Sequence, residues 1–513
     1  MTDLRSRDDL GSPDGDDATP PAPRTRHRRA RRLRGALGVT LLGTVVPGAG
    51  LVWTRRRWAW LLVLASVGGV AYLAYTFRDL QTALDLAFDP DRLRLVAWCT
   101  GGVLVVWTGT VLATYLLARP KPLGWPRQVL GFVVTLALCA TIAAPVALSG
   151  RYATTQADLV EHVFEHNESA TTPTDVTVKD PWGGRDRVNL LLLGGDGQVG
   201  RYGIRTDSVI LVSMSTRTGD TVMFSLPRNM MNAQFPADSP LHALYPDGFT
   251  GYGDPAAYML NAIYGQVPAL HPGILGHSSN EGADAVKQAV EGTLGIPVDY
   301  YLLVNLDGFK EIVNAMGGVT VNINTPIPIQ GDTDRGIPPV GYLQPGPNQR
   351  LDGYQALWYS RGRWGSTDYE RMLRQRCMVD AIIDEANPFN LLRRYQALAA
   401  AGRDLLRSDV PSKLLPAFVD LALEVKHADV RSVAFVRSDD FYPEAPDFAW
   451  VQAQVQRALQ PVDRPRAEHH DGGHDTDGGT GGSGGSGGSE GDATTDPGTA
   501  VQVRDSCAYA PVG

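Results

Sequence analysis

The chain has 513 residues, 43% of them hydrophobic, and a formal net charge of -8 at pH 7. That length accommodates one large folded domain plus membrane segments, and the negative balance excludes a general nucleic-acid binder, whose footprint is basic. The total conceals a polarised layout, because residues 24–34 (RTRHRRARRLR) carry seven Arg and no acid.

Residues 1–23 are polar, acidic and Pro-rich, so residues 1–34 read as a disordered, Arg-rich cytoplasmic segment. Its place next to apolar sequence favours lipid headgroups and topology control over nucleic acid. No secretory cleavage pattern follows. Four uncharged apolar stretches do: residues 35–54, 58–77, 95–118 and 128–149. Each reaches the span of about 20 residues that a bilayer requires. The first contains Gly35, Gly38, Gly43, Pro47, Gly48 and Gly50, a poor recipe for a straight helix. It is also flanked on both sides by Arg, including Arg55, Arg56 and Arg57, which favours one cytoplasmic side for both ends. Residues 35–149 therefore read as a membrane region of three spans plus one re-entrant or interfacial stretch. Arg78, Arg92 and Arg94, in the loop that this layout places outside, run against the charge rule.

Residues 150–186 read as a polar connection, a short helix (ADLVEHVFEH) and then a stalk. A folded domain spans residues 187–460. RVNLLLLGGDG is a buried strand ending in a Gly-rich turn, and DSVILVSMS and DTVMFSLP are two more strands joined by TRTGD. YMLNAIYG and GADAVKQAVEGTLG carry helical periodicity, DYYLLVNL reads as a strand, GFKEIVNAM as a helix and GVTVNIN as a strand. Residues 325–350, rich in Pro and Gly, read as a long surface loop. Helices follow in the Arg-rich segment, NLLRRYQALAAAG and SKLLPAFVDLALEVK, and SVAFVR returns to the sheet. This mixture predicts an α/β fold, a three-layer α/β/α sandwich preceded by a helical membrane region. Residues 461–500 form a Gly/Ser-rich tether to a C-terminal end, residues 501–513. His469, His470 and His474 lie in that tether, where nothing fixes a metal geometry.

Two clusters carry chemistry. Residues 361–376 hold Arg361, Arg363, Arg371, Arg374 and Arg376 with Asp368 and Gln375, and no Lys. A helix starting near Asp368 puts Asp368, Arg371 and Gln375 on one face. Converging guanidinium groups match phosphate oxygens bidentately; a solvated helix face is the alternative. The second cluster, Asp196, Arg205, Asp207 and Arg228, sits at strand ends. Two carboxylates there suit Mg²⁺, although Asp at a strand end is also an ordinary turn former. GGDG lacks the Gly-Lys-Ser/Thr of a P-loop, and neither HExxH, paired CxxC nor GxSxG occurs.

Together NLLLLGGDG, RTDSVILVSMS, SLPRN, LNAIYG, GFKEIVNAMGGVTVNI and the RGR…D..R..RQ array resemble the LytR-CpsA-Psr family of cell-envelope transferases over about residues 187–385. The resemblance implies an extracytoplasmic α/β domain, which supports three spans and a multi-pass protein of the cell membrane. It implies transfer of an anionic glycopolymer from a polyprenyl pyrophosphate carrier to peptidoglycan, releasing polyprenyl phosphate. By position, Asp196 and Asp207 look like the family's Mg²⁺ (or Mn²⁺) carboxylates. Arg205, Arg228, Arg361, Arg363, Arg371, Arg374 and Gln375 look like its pyrophosphate ligands. Asp368, Arg371 and Arg228 are the expected catalytic residues, with Asp368 orienting arginines or accepting a proton. Asn229 stands where the family usually has Asp, and Met259 where it often has Lys, which bears on polymer choice.

Two rival readings keep part of the site. Water as acceptor makes the chain a Mg²⁺-dependent pyrophosphatase. A non-enzymatic envelope scaffold or regulator needs the arginines but not both carboxylates. Of the four cysteines, Cys99 and Cys139 lie in apolar spans, whereas Cys377 and Cys507 both fall outside, where a disulfide persists. Cys377 lies about half a turn round the helix from Asp368, so a bond would staple the C-terminal end to the back of the Arg helix. Two free thiols are the alternative.

Overall fold

The structure, a computed structural model, describes residues 23–76, 78, 82, 86–119, 124–161, 164, 169–195, 205–333, 335–385, 406–460 and 500–510. Asp196, the NLLRRYQALAAAG helix and residues 461–499, with the three tether histidines, lie outside these residues. The chain divides into two units: Met1–Leu80 with Leu95–Arg151, and Gln81–Arg94 with Tyr152–Gly513.

The first unit is built on helices α1 (Pro23–Val45), α2 (Ala49–Trp53), α3 (Ala59–Thr76), α4 (Pro90–Ala118) and α5 (Trp125–Val160), the last two running on into the second unit. Among the described residues three helices, α3, α4 and α5, are long and apolar enough to cross a membrane. The first apolar stretch breaks instead at Gly48, whose φ of 86° ends α1 before α2 begins. A Cβ there would meet Leu62 at 2.8 Å, and one on Gly50 would meet Thr114 at 2.5 Å, so the break is also a close helix contact. Trp53, Trp58, Trp98 and Trp125 are exposed near helix ends, the usual position of an aromatic belt.

The second unit is organised on strands β1 (Arg187–Gly195), β2 (Thr206–Ser215), β3 (Thr221–Leu226), β4 (Tyr300–Asn305), β5 (Val319–Ile323), β6 (Ile327–Ile329), β7 (Gly341–Leu343), β8 (Gly346–Leu351), β9 (Leu406–Ser408), β10 (Val430–Ala434) and β11 (Val501–Gln502). Its helices are α6 (Pro240–Leu244), α7 (Ile263–Leu270), α8 (Glu281–Leu294), α9 (Leu306–Met316), α10 (Gly353–Arg361), α11 (Asp368–Glu385), α12 (Leu415–His427), α13 (Phe448–Leu459) and α14 (Val503–Ser506). Seven strands form one mixed sheet in the order β11-β10-β3-β2-β1-β4-β9. Because successive side chains point to opposite faces, a continuous apolar run feeds two cores. Leu191, Leu193, Val209, Leu211, Val222 and Phe224 pack with α7, α8 and α13 on one face. Val188, Ile210, Val212, Met214 and Met223 pack with α12, Val503 and Val379 on the other. These are the three layers the sequence predicts.

A third core lies among α9, α10, α11 and the small sheets β5-β8 and β6-β7. It corrects the reading of residues 325–350 as a surface loop. Ile327, Leu343 and Leu351 are buried there, and the short edge hairpin tolerates the Pro residues that disguised it. YMLNAIYG is not one helix either. Met259 is extended and bridges Met231, so two 3-10 turns precede α7, which starts only at Ile263.

The polar connection differs most. Residues 169–172 dock on buried charges of the domain. Asp284 accepts from the Ser169 and Thr171 hydroxyls (2.6 and 3.0 Å) and from the Ala170 amide (3.1 Å). Asp409 accepts from the Thr172 hydroxyl (2.8 Å), from the Tyr301 amide (2.6 Å) and from Lys287 Nζ (2.6 Å). The Lys287 and Asp409 side chains are fully buried. Residues 169–186 are thus part of the domain's packing, Val176 included, and their polarity serves this network.

Removing one partner of a buried ion pair leaves an uncompensated charge. Lys287→Met is expected to destabilise the second unit by about 3–5 kcal/mol in denaturant unfolding, and a loss under 1 kcal/mol would contradict this account.

Candidate functional site

β1, β3, β4 and β10 all run in one direction, with β2 antiparallel between β1 and β3. Their carboxyl ends therefore meet along one edge of the sheet, the usual place for a ligand in an α/β fold. Register sets Gly195 against Thr206 and Asn305, and Leu226 against Val209. Asp207, second residue of β2, and Arg228, just after β3, are brought together by that register. Arg228 Nη1 lies 2.5 Å from Asp207 Oδ1.

The third member comes from α11. Arg371 is 3% exposed and spends its guanidinium on both sides of the site. Nη2 donates to the Asp368 carboxylate at 2.9 Å, and Nη1 donates to the Asp207 carbonyl at 3.1 Å. Burial, with the Arg228 charge nearby, lowers the Arg371 pKa; Asp368 and Asp207 oppose that shift. Asp207, Arg228, Asp368 and Arg371 thus form one interlocked group, its other three side chains being 25–29% exposed.

The loop carrying the next two arginines is pinned at both ends. Asp352 and Gln355 make a reciprocal capping box at the start of α10. Thr367 and Glu370 make a second at the start of α11, the Glu370 carboxylate accepting from the Thr367 amide at 2.7 Å and the Thr367 hydroxyl from the Glu370 amide at 3.2 Å. That T-D-Y-E spacing was available in the sequence as a helix-start signal. Gly362 follows α10 because a Cβ would sit 2.5 Å from the Pro328 carbonyl. Arg361, the last residue of α10, is half-buried, Arg363 is exposed on the loop, and Arg205 is exposed just before β2.

Arg374 and Gln375 are oriented otherwise than expected. Arg374 Nε donates to the Tyr359 carbonyl at 2.8 Å and Nη2 to that of Gly362. Gln375 Nε2 donates to the Ser360 carbonyl at 3.3 Å. Those are the carbonyls that the last turn of α10 leaves without intrahelical partners, at its negative dipole end. Both side chains therefore hold the arginine loop in place. Arg376 turns to the sheet, its Nη1 donating to Ser432 of β10 at 2.9 Å, and burial pushes its pKa down to about 10. On the back of the helix Cys377 is disulfide-bonded to Cys507, while β11 pairs antiparallel with β10. Asn322 Nδ2 donates to the Cys507 carbonyl at 2.9 Å.

Two further residues border the group. Asn261 is 2% exposed and its amide donates to the Arg228 carbonyl at 3.0 Å; Thr206 precedes Asp207 and is fully buried. Asn261 Oδ1, Thr206 Oγ1, Arg371 Nε, Ser360 Oγ and Ser366 Oγ are buried without a hydrogen-bond partner. Such atoms are rare in folded proteins, and those on Thr206, next to Asp207, and on Arg371 belong to the segments that build the interlocked group. Helical periodicity marked Arg371 alone among them; the LNAIYG segment was the available signal for Asn261. Among the described residues no group of three or more His, Cys, Asp or Glu is placed to hold a metal. Asp207 is the described member of the expected carboxylate pair, since Asp196 lies outside the described residues.

A match to the LytR_cpsA_psr family covers residues 152–460, more than half of the chain. The chain belongs to this family. A polyisoprenyl-teichoic acid–peptidoglycan teichoic acid transferase TagU of Enterococcus faecalis is 34% identical over 131 residues, 25% of this chain and 40% of the relative. The namesake from Oceanobacillus iheyensis is 29% identical over 234 residues, 45% of this chain and 60% of the relative. The matches thus span about two fifths to three fifths of these relatives. The crystal structure of B. subtilis TagV aligns with 53% of this chain and 96% of its own, at 23% identity and a TM-score of 0.38. The family match begins at residue 152, ahead of the boundary expected from composition, in keeping with the docked 169–186 segment.

Arg374→Ala leaves buried carbonyls without donors, at a cost of about 1–3 kcal/mol each. It is expected to lower stability by at least about 2 kcal/mol, whereas Arg363→Ala stays within about 0.5 kcal/mol. Calorimetry of both variants checks the division between arginines that brace carbonyls and exposed ones; equal losses would refute it.

Proposed function

We propose that this protein is a membrane-anchored phosphotransferase that moves an anionic glycopolymer from a polyprenyl pyrophosphate carrier to peptidoglycan. The reading rests on one observation above the rest: Asp207, Arg228, Asp368 and Arg371 interlock at the carboxyl edge of the sheet. In the reaction an acceptor sugar hydroxyl attacks the phosphorus bonded to the polymer. The phosphoanhydride P–O bond breaks, polyprenyl phosphate leaves, and the hydroxyl proton is lost to a base. The barrier lies in charge on the pyrophosphate oxygens, which positioned guanidinium groups neutralise without covalent catalysis.

Arg228 and Arg371 are the arginines held for that purpose, and Arg361, Arg363 and Arg205 are the further candidates for the pyrophosphate oxygens. Asp368 is ion-paired to Arg371, and its first role is to aim that guanidinium. Gln375 and Arg374 act at one remove, by fixing the loop of Arg361 and Arg363. A single described carboxylate among cations does not make a metal cage. It does suit Mg²⁺ (or Mn²⁺), which takes one or two carboxylates and completes its shell with water and substrate phosphate oxygens. Asp207, with Asp196, would hold it, and it would supply further neutralisation of the same oxygens.

Full-length protein in detergent, given Mg²⁺, a polyprenyl pyrophosphate-linked glycan and peptidoglycan oligomers, is expected to give glycan-peptidoglycan conjugates by mass spectrometry. Asp207→Asn and Arg371→Lys should each lower the rate by about 10²–10³ while the fold survives, and EDTA should stop transfer until Mg²⁺ is restored. Free glycan phosphate with no conjugate would establish the pyrophosphatase instead. Binding that needs the arginines but not Asp207, with no product at all, would establish the scaffold.

The three apolar helices and the basic residues around α2 support a catalytic unit outside the cell membrane. Impermeant thiol reagents on intact cells should label cysteines engineered after residue 168 and spare those at Arg55–Arg57. Labelling at residue 56 would sink this topology.

A further inference from the structure

The proposed reaction needs a second substrate, and α10 offers a surface for it. Tyr354, Trp358 and Arg361 are spaced by four and three residues and so share one stripe of the helix. Tyr354 is 41% exposed, and its ring lies 6.3 Å from that of Trp358 at 66°. Gln330, next to β6, donates from Nε2 to the Tyr354 hydroxyl at 3.0 Å, which fixes the ring. Tyr342, on the neighbouring strand β7, is 43% exposed. In register with Pro328, it faces away from the buried pair Ile327 and Leu343. The stripe holds no acid and no Lys, and it leads along the helix into the arginine loop.

We propose that Tyr354 and Trp358 form the platform on which the acceptor glycan strand lies. This rests on the transferase reading. A sugar ring presents an apolar C–H face and a rim of hydroxyls, and an amphipathic aromatic with an amide beside it answers both. Continuity with the arginine loop argues for the acceptor in particular. A strand stacked on Tyr354 and Trp358 runs toward Arg361, about 10 Å along the helix from Tyr354, and so toward the pyrophosphate its hydroxyl must reach. The aromatic pair lies outside the Asp-Arg group, so acceptor and donor are recognised by separable residues.

The test uses the full-length protein in detergent, with β-1,4-linked N-acetylglucosamine oligosaccharides as the glycan-binding probe and a polyprenyl pyrophosphate-linked glycan with peptidoglycan oligomers for donor affinity and turnover. Tyr354→Ala should weaken the oligosaccharide at least about fivefold and raise the acceptor KM to match, with kcat and donor affinity unchanged. Tyr354→Phe, which keeps the ring and drops the hydroxyl, should retain most glycan binding and serves as the folding control. Unchanged glycan affinity in folded Tyr354→Ala and Trp358→Phe proteins overturns the platform. A change in donor affinity alone would assign this face to the lipid carrier and overturn it too. Transfer to peptidoglycan oligomers without any oligosaccharide binding by the wild type removes the platform and leaves the transferase standing. Glycan binding through Tyr354 with no donor binding does the reverse.

Discussion

A guanidinium leaves water only where its N–H groups find acceptors, and α11 buries three of them within six residues. Each is held by a different part of the protein, with Arg371 Nε and Arg376 Nε left over as buried donors without a partner. Arg371 reaches the start of β2 and its own Asp368, Arg374 the end of α10, Arg376 the middle of β10. The helix is therefore tied to the central sheet and to the neighbouring helix by its charges as much as by Met372 and Met378. Such contacts are directional, and they set the rotation of α11 about its axis more tightly than apolar packing alone would.

That rotation decides the site. With Arg374 and Gln375 holding the carbonyl end of α10, and a capping box at the start of each helix, the loop between them has both ends anchored. Under the proposed reading, Arg361 and Arg363 would then engage a ligand without first ordering a flexible segment, a cost that preorganisation removes. The same helix leaves Tyr354 exposed, with Trp358 half-buried beside it.

Both ends of the second unit's chain are drawn onto its core by means that composition hides. Residues 169–172 are held by Asp284, Lys287 and Asp409, a buried polar network in which each charge is met by hydrogen bonds. The end after residue 500 adds a short strand to β10 and is joined through Cys507 to the back of α11. That strand pairs with what would otherwise be an open sheet edge.

Much was legible in the residues themselves. The strands β1 to β4, the helices α8, α9, α11 and α12, the return of the chain at β10 and the break in the first apolar stretch follow from local patterns of period 2 and 3.6 and from Gly and Pro placement. The Cys377–Cys507 bond, present in the structure, was one of two readings the residues left open, beside two free thiols; helical phase said only that Cys377 points away from Asp368. Tertiary structure alone decided which arginines face the site and which brace it, since Arg371 and Arg374 are one turn apart and chemically identical. It alone turned residues 325–350 into hairpin strands and residues 169–186 into part of the domain. In each case the deciding partner is well separated in sequence: the Asp207 carbonyl for Arg371, Tyr359 and Met378 of the same core for the hairpin, Asp409 for Thr172. Local periodicity reports how a segment can fold, whereas a long-range hydrogen bond exists only once the sheet has set its register.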